Sequence, residues 1–182
     1  MVSSNADKVR EVAEFFGSTL EVTHVSLDIP ELRSEDVSEI SRQKAQYAFD
    51  RLLTPLIIDD TTFSIDALKG FPGPYAAYVL HTIGNAGILK IMKDVEDRNA
   101  HFTTAIAFAD NDGIRVFSGT IHGRIVTMSR GIGGFGYDPI FEIEERTLAE
   151  LPIEVKSRMS HRALALTAFR DWFIREYRPL ST

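Results

Sequence analysis

Leu56-Ile57-Ile58-Asp59-Asp60-Thr61-Thr62-Phe63 carries three branched apolar residues straight into two adjacent carboxylates and two hydroxyls. A short apolar run of this kind suits a buried strand. Burying an unpaired charge is costly, so the acids either end the strand in a solvated turn or meet a cation or a ligand. Three further segments carry groups able to complete a site around Asp60. Ser3-Ser4-Asn5-Ala6-Asp7-Lys8 offers hydroxyls, a capping amide and an ammonium at the start of a helix, the makings of a phosphate cradle or of a plain N-cap beside a solvated lysine. Glu31, Glu35 and Asp36 form a second acidic stretch. Lys156, His161 and Arg162 form a basic cluster around Ser160, the expected cap of the last helix. Positive side chains there oppose the helix dipole, which favours an acceptor-rich ligand over a solvated basic turn.

Helices and strands must position these groups. Val9, Val12, Ala13 and Phe16 fall at helical spacing, with Ser4 or Asn5 as the cap and Gly17 as the stop. Leu20 to Leu27 alternates and reads as a strand. A helix from about Val37 to Leu53 places Lys44 inside its apolar stripe, one turn from Ile40 and Ala48. That lysine either snorkels to water or points into a polar cleft against the sheet. After the acidic pair, Phe63 to Leu68 reads as a separate short strand, followed by a turn-rich loop through Pro74. Helical segments follow at about Tyr75–Thr82 and Ala86–Asp94, then strands at His101–Ala109 and Ile114–Val126 joined by Asp110-Asn111-Asp112-Gly113. Gly119 and Gly123 suggest bends or bulges in the second of these. No linker or repeat interrupts residues 1–182, which read as one domain.

The net charge of −6 argues against bulk nucleic acid as a partner, though a few local cations and a metal suffice for a small anion. No cysteine is present, which removes disulfides, thiolate metal sites and a cysteine nucleophile, and fits a reducing cytoplasm. No stretch is long and apolar enough to span a membrane, and no signal peptide precedes Ser3.

Gly131-Ile132-Gly133-Gly134-Phe135-Gly136 fits the dinucleotide fingerprint G-x-G-x-x-G, but Tyr137-Asp138-Pro139 follows where that motif needs a helix. The glycines instead present Phe135 and fix Asp138. Phe135 is either a stacking surface for a flat base or a plug in the core.

With these residues assembled, the chain resembles the inosine/xanthosine triphosphate pyrophosphatases, in the layout of their archaeal and eukaryotic branch. The resemblance rests on Ser3 to Lys8, Asp28-Ile29-Pro30-Glu31, Asp59-Asp60-Thr61, Phe71-Pro72-Gly73-Pro74-Tyr75, Phe135-Gly136-Tyr137-Asp138-Pro139 and Ser160-His161-Arg162, and covers nearly the whole chain. It implies an elongated α/β fold with a bent mixed central sheet flanked by helices, two lobes and a nucleotide cleft between them. It implies a homodimer that hydrolyses ITP, dITP or XTP to the monophosphate and pyrophosphate with Mg²⁺. By motif position, Asp60 is the general base and a metal ligand, and Glu31 is a second metal ligand. Ser3, Ser4, Asn5, Ala6, Asp7, Lys8 and Lys44 hold phosphates, and Thr61 lies beside the metal. Phe135, Gly136, Tyr137, Asp138, Lys156, His161 and Arg162 hold the base and sugar.

The chain departs from the family pattern in having only Met1-Val2 before the Asn-containing loop, where the family has a full apolar strand, which points to a truncated start. It also has Ser4 and Thr62 where relatives often have glycine, and Ala77 where some have a basic residue. A nucleotide-binding sensor on the same fold and a Maf-like pyrophosphatase for other modified nucleotides are the competing functions. Retention of Glu31 with Asp59-Asp60 opposes the sensor, because binding alone needs no base. Selectivity follows from hydrogen-bond counts. Lys156, Arg162 and His161 donate, hypoxanthine and xanthine present a 6-oxo acceptor, and adenine presents another donor. Guanine shares the 6-oxo group, so its rejection needs a further feature near the 2-position, from Asp138 or backbone.

Overall fold

The computed structural model describes residues 1–30 and 34–177. Helices α1 (Ala6–Phe16), α2 (Val37–Leu52), α3 (Ala76–Thr82), α4 (Gly84–Ile91), α5 (Ile153–Met159) and α6 (His161–Trp172) accompany strands β1 (Leu56–Ile65), β2 (Pro72–Gly73), β3 (Asn99–Asp110), β4 (Gly113–Ile125), β5 (Phe141–Ile143) and β6 (Arg146–Thr147). The strands form one six-stranded sheet in the order β2-β1-β3-β4-β5-β6, and the β1–β2, β4–β5 and β5–β6 ladders are antiparallel. Parallel bridges join Val2 to Val25 and to Ile58.

Contacts divide the chain into two compact units. The first comprises Met1–Asp60, Thr104–Gly119 and the chain from His161 onward; the second comprises Thr61–Thr103 and Thr120–Ser160. In the first unit the two-residue period of β1 sorts its side chains onto opposite faces. Ile57 joins Val12, Phe16, Ile106, Phe108, Leu166 and Phe169 beneath α1 and α6. Leu56 and Ile58 join Ala45 and Ala48 beneath α2, with Val2, Ala107 and Ala109. The second unit has its own core, in which Phe63 and Ile65 of β1 pack with Val79, Ile88, Phe102, Tyr137 and Phe141. The Phe63 ring stacks on Phe102 at 4.5 Å and on Tyr137 at 4.4 Å between centroids.

Local signals explain the element ends. The Asn5 side chain caps α1 and Asp36 caps α2, each accepting N–H bonds from the first turn. Gly17, at φ 50°, ends α1. Three expectations are corrected. β1 does not stop at the acids but continues through them to Ile65, and Asp66–Leu68 is a 3₁₀ turn rather than strand. The acids continue the strand because their side chains find partners on both faces. The alternating segment Leu20–Leu27 makes a β-bridge only at Val25, which pairs in parallel with Val2. Gly123 and Gly119 permit close approach: a Cβ on Gly119 would collide with the His161 carbonyl and the Ala165 nitrogen of α6.

Candidate active site

Asp59 and Asp60 are neighbours on β1 and therefore face opposite ways. Asp60 points toward α2, where Lys44 Nζ donates to its Oδ1 at 2.6 Å. Ser41 Oγ lies 3.3 Å from its Oδ2 and also bonds the Ala105 carbonyl at 3.0 Å. Lys44 thus turns from the apolar stripe of α2 toward the sheet instead of snorkelling to water. Its side chain remains 24 % exposed and that of Asp60 15 %, so both are open to a ligand.

Asp59 points toward α1 and α6 and is wholly enclosed, with a side-chain exposure of 0 %. Arg162 Nε donates to its Oδ2 at 2.7 Å and Lys8 Nζ reaches its Oδ1 at 2.7 Å. Lys8 Nζ also donates to the Asp59 backbone carbonyl at 2.9 Å. The second edge of the Arg162 guanidinium, through Nη1, bonds Glu11 of α1. Burial alone would raise the Asp59 carboxyl, but the charges and hydrogen bonds of Arg162 and Lys8 outweigh it and hold this group well below the usual carboxylate range. Burial alone would lower Arg162, and Asp59 with Glu11 hold it above its ordinary value. Arg162 does sit at the start of α6 against the helix dipole, and these two carboxylates are what offset that position.

The loop before α1 is pinned at both ends. Ser3 N donates to the Val25 carbonyl and the Ser3 carbonyl lies 2.7 Å from His24 Nε2. Asn5 Oδ1 accepts from Asp7 N at 2.9 Å and Lys8 N at 3.2 Å, and Ser3 Oγ accepts from Asn5 N. Ser4, Asn5 and Ala6 are exposed at the helix start. The Asp7 carboxylate pairs with Arg10 at 3.1 Å. His161, at the first position of α6, is buried, and its Nδ1 lies 2.6 Å from Thr104 Oγ1 of β3.

The second unit gathers another group of the expected residues. Asp138, in the 3₁₀ turn Asp138–Ile140, accepts at Oδ2 from Lys156 Nζ and from Phe135 N, both at 2.7 Å. Lys156 Nζ also sits 4.6 Å from the centroid of the half-buried Phe135 ring. Gly134, at φ 68°, is required here, because a Cβ would meet the Asp138 carboxylate. The glycine run therefore shapes a loop around an acid, which is why it resembles a dinucleotide fingerprint without being one. Gly136 offers its carbonyl to Asn85 Nδ2 at 3.0 Å. Tyr137 turns inward, donates its hydroxyl to the Ala76 carbonyl at 2.7 Å, and its phenol is pushed well above its ordinary range by burial. Thr61 is partly exposed, one residue after Asp60 on β1.

Glu31 lies outside the described residues. Among the described residues no cluster of three or more histidine, cysteine, aspartate or glutamate side chains is arranged to hold a metal. Mg²⁺ is commonly held by one or two carboxylates together with substrate phosphates and water, so the hard oxygens of the partly exposed Asp60 fit such an ion. Sequence reasoning missed Glu11, Ser41 and Thr104. Each looks like an ordinary surface or strand residue, and only folding brings its partner to it.

Comparison with known proteins places the chain in a family. The Ham1 family pattern matches residues 1–172. A dITP/XTP pyrophosphatase of Methanopyrus kandleri is 47 % identical over 157 residues, covering 85 % of this chain and 84 % of its own. One from Thermococcus kodakarensis is 41 % identical over 174 residues, covering 94 % of each. The Ham1 protein structure from Coxiella burnetii superposes with a TM-score of 0.84 at 29 % identity, covering 95 % of this chain and 97 % of its own. That from Staphylococcus aureus gives 0.83 at 28 %, covering 96 % and 98 %. With its pattern, its sequence relatives and its fold all in agreement, the chain belongs to the Ham1 family.

Proposed function

We propose that this protein hydrolyses non-standard purine nucleoside triphosphates (dITP, ITP and XTP) between the α- and β-phosphates, releasing the monophosphate and pyrophosphate and clearing such nucleotides from the pool. The arrangement around Asp60 carries the proposal: a carboxylate oriented by Lys44 at 2.6 Å, one residue along β1 from the acid that tethers Lys8. The name dITP/XTP pyrophosphatase borne by the relatives supports the substrate class.

Asp60 orients the attacking water and takes its proton. Lys8, Lys44 and the positive end of the α1 dipole offset the polyphosphate charge. Asp60, with Glu31, would hold Mg²⁺, which when bound neutralises charge on the phosphate oxygens. Thr61 lines the same stretch. The Phe135 face stacks the base, and Lys156 supplies a donor to its 6-oxo group; His161, in the other unit, keeps the base-and-sugar role that the resemblance gives it. The buried position of Arg162 supports a role in holding Asp59 as well as the base-side role that the resemblance gives it. The protein works as a homodimer, as the family resemblance implies, in the reducing cytoplasm that its cysteine-free sequence fits.

The test is a panel of nucleoside triphosphates with Mg²⁺, with the released species identified by phosphorus NMR. Pyrophosphate and monophosphate from dITP, ITP or XTP are expected. Orthophosphate and a diphosphate as primary products would overturn the proposed cleavage.

A further inference from the structure

Lys8, Asp59, Arg162 and Glu11 form a chain of alternating charge reaching from the start of α1 through β1 to α6. Its links are Lys8 Nζ to Asp59 Oδ1 at 2.7 Å, Arg162 Nε to Asp59 Oδ2 at 2.7 Å, and Arg162 Nη1 to Glu11. Formally the four charges cancel. The two inner members are almost fully enclosed, with side chains 0 % and 3 % exposed, while Lys8 at 16 % and Glu11 at 17 % form the accessible ends. The Lys8 ammonium is folded back onto Asp59, gripping both its carboxylate and its backbone carbonyl. To serve a polyphosphate it must exchange part of that grip.

We propose that Glu11 is a positioning residue that sets how strongly this end of the site holds anions, by keeping the network neutral. With Glu11 charged, Arg162 is shared between two carboxylates, and Asp59 retains enough negative field to compete with phosphate for Lys8. With Glu11 neutral, Arg162 draws on Asp59 alone. The network then carries a net positive charge, and Lys8 passes more readily to an incoming phosphate. Glu11 therefore limits the affinity for the substrate's phosphates and for the departing pyrophosphate, which favours release. The inference rests on the phosphate-holding role of Lys8 proposed above.

The experiment measures inorganic pyrophosphate binding by calorimetry, and kcat and KM for dITP, in the wild type, Glu11→Gln, Glu11→Asp, Lys8→Met and the Glu11→Gln/Lys8→Met pair. One unit charge acting through a protein-like dielectric over several ångströms predicts that Glu11→Gln tightens pyrophosphate binding roughly tenfold. KM should fall with it and kcat should fall as product leaves more slowly. Glu11→Asp keeps the charge and is expected to behave like the wild type, which a role in packing alone would not allow. In the Lys8→Met background the tightening should largely vanish, since the two sites are coupled. Unchanged or weaker pyrophosphate binding in folded Glu11→Gln would overturn the proposal, as would full tightening without Lys8. If Lys8→Met alone leaves pyrophosphate binding intact, the phosphate role of Lys8 itself fails, a different result from a Glu11 failure.

Discussion

The adjacent acids of β1 look equivalent in sequence and are not equivalent in the fold. Asp60 keeps one side open, with Lys44 and Ser41 fixing its orientation, whereas Asp59 is enclosed between two cations. The accessible member is the one proposed as the base. Asp60→Asn preserves shape and hydrogen-bonding reach but cannot take a proton, so turnover should fall roughly 10²–10⁴-fold while nucleotide binding persists. Single-turnover kinetics beside equilibrium binding checks this, and near wild-type turnover would move the base elsewhere. On the base side, Lys156 is held by Asp138 above the Phe135 ring. A donor in a fixed place rejects a ligand that presents a second donor, because buried polar groups then lose their partners. Lys156→Met should lower kcat/KM for ITP by roughly a hundredfold and that for ATP much less, narrowing the gap. Proportional losses for ITP, GTP and ATP alike would show that Lys156 only secures the Asp138 loop.

At the scale of elements, the placement of His161 and Arg162 depends on how closely α6 lies on β4. Gly119 makes that approach possible. Gly119→Ala inserts a methyl against backbone atoms of α6 that cannot swing aside, with an expected cost of about 1–3 kcal/mol. Displacement of the first turn should also lower kcat/KM, and denaturant unfolding with activity assays measures both. A fully active, equally stable variant would show that α6 has slack. The helices were legible in the sequence because their caps and stripes are local: Asn5 and Gly17 bound α1, and the stripe of α2 follows its spacing. The course of β1 was not legible. An apolar run meeting two acids reads as a strand end, and the reason it continues is an arginine 103 residues away. Lys44 was ambiguous on the same ground, since a lysine in an apolar stripe looks the same whether its acid is present or not. Glu11 gave no signal, because one acid on a helix of mixed charge looks solvated until α6 arrives. The base-side loop was half legible: Phe135 and Asp138 stood out, but the need for glycine at position 134 follows from the acid folded against it.

For the molecule as a whole, the buried ion chain ties stability to acidity. Asp59 has a folded pKa below its unfolded value, which for aspartate lies near about 3.9. Its contribution is therefore complete above that unfolded value and is lost as pH falls through the lower folded one, so the loss begins below about pH 4. Arg162 is shifted upward from an already high value and adds no dependence in the ordinary range. Asp59→Asn should cost about 3–5 kcal/mol at neutral pH, by leaving the enclosed Arg162 short of a partner, and should flatten the fall in Tm below pH 4. Circular-dichroism melts across pH test this, and an unchanged acid slope would assign the sensitivity to other carboxylates. The alternation of β1 has a further consequence, for inherited variation. Losing a single codon among positions 56–58 shifts the strand by one residue and turns each following side chain to the other face, sending Asp59 toward Lys44 and Asp60 into the arginine pocket. Amino-acid replacements in that stretch alter one contact each, whereas a one-codon in-frame deletion exchanges the surroundings of both acids, so a library of such deletions should find fewer survivors here than in the Asp110–Gly113 turn.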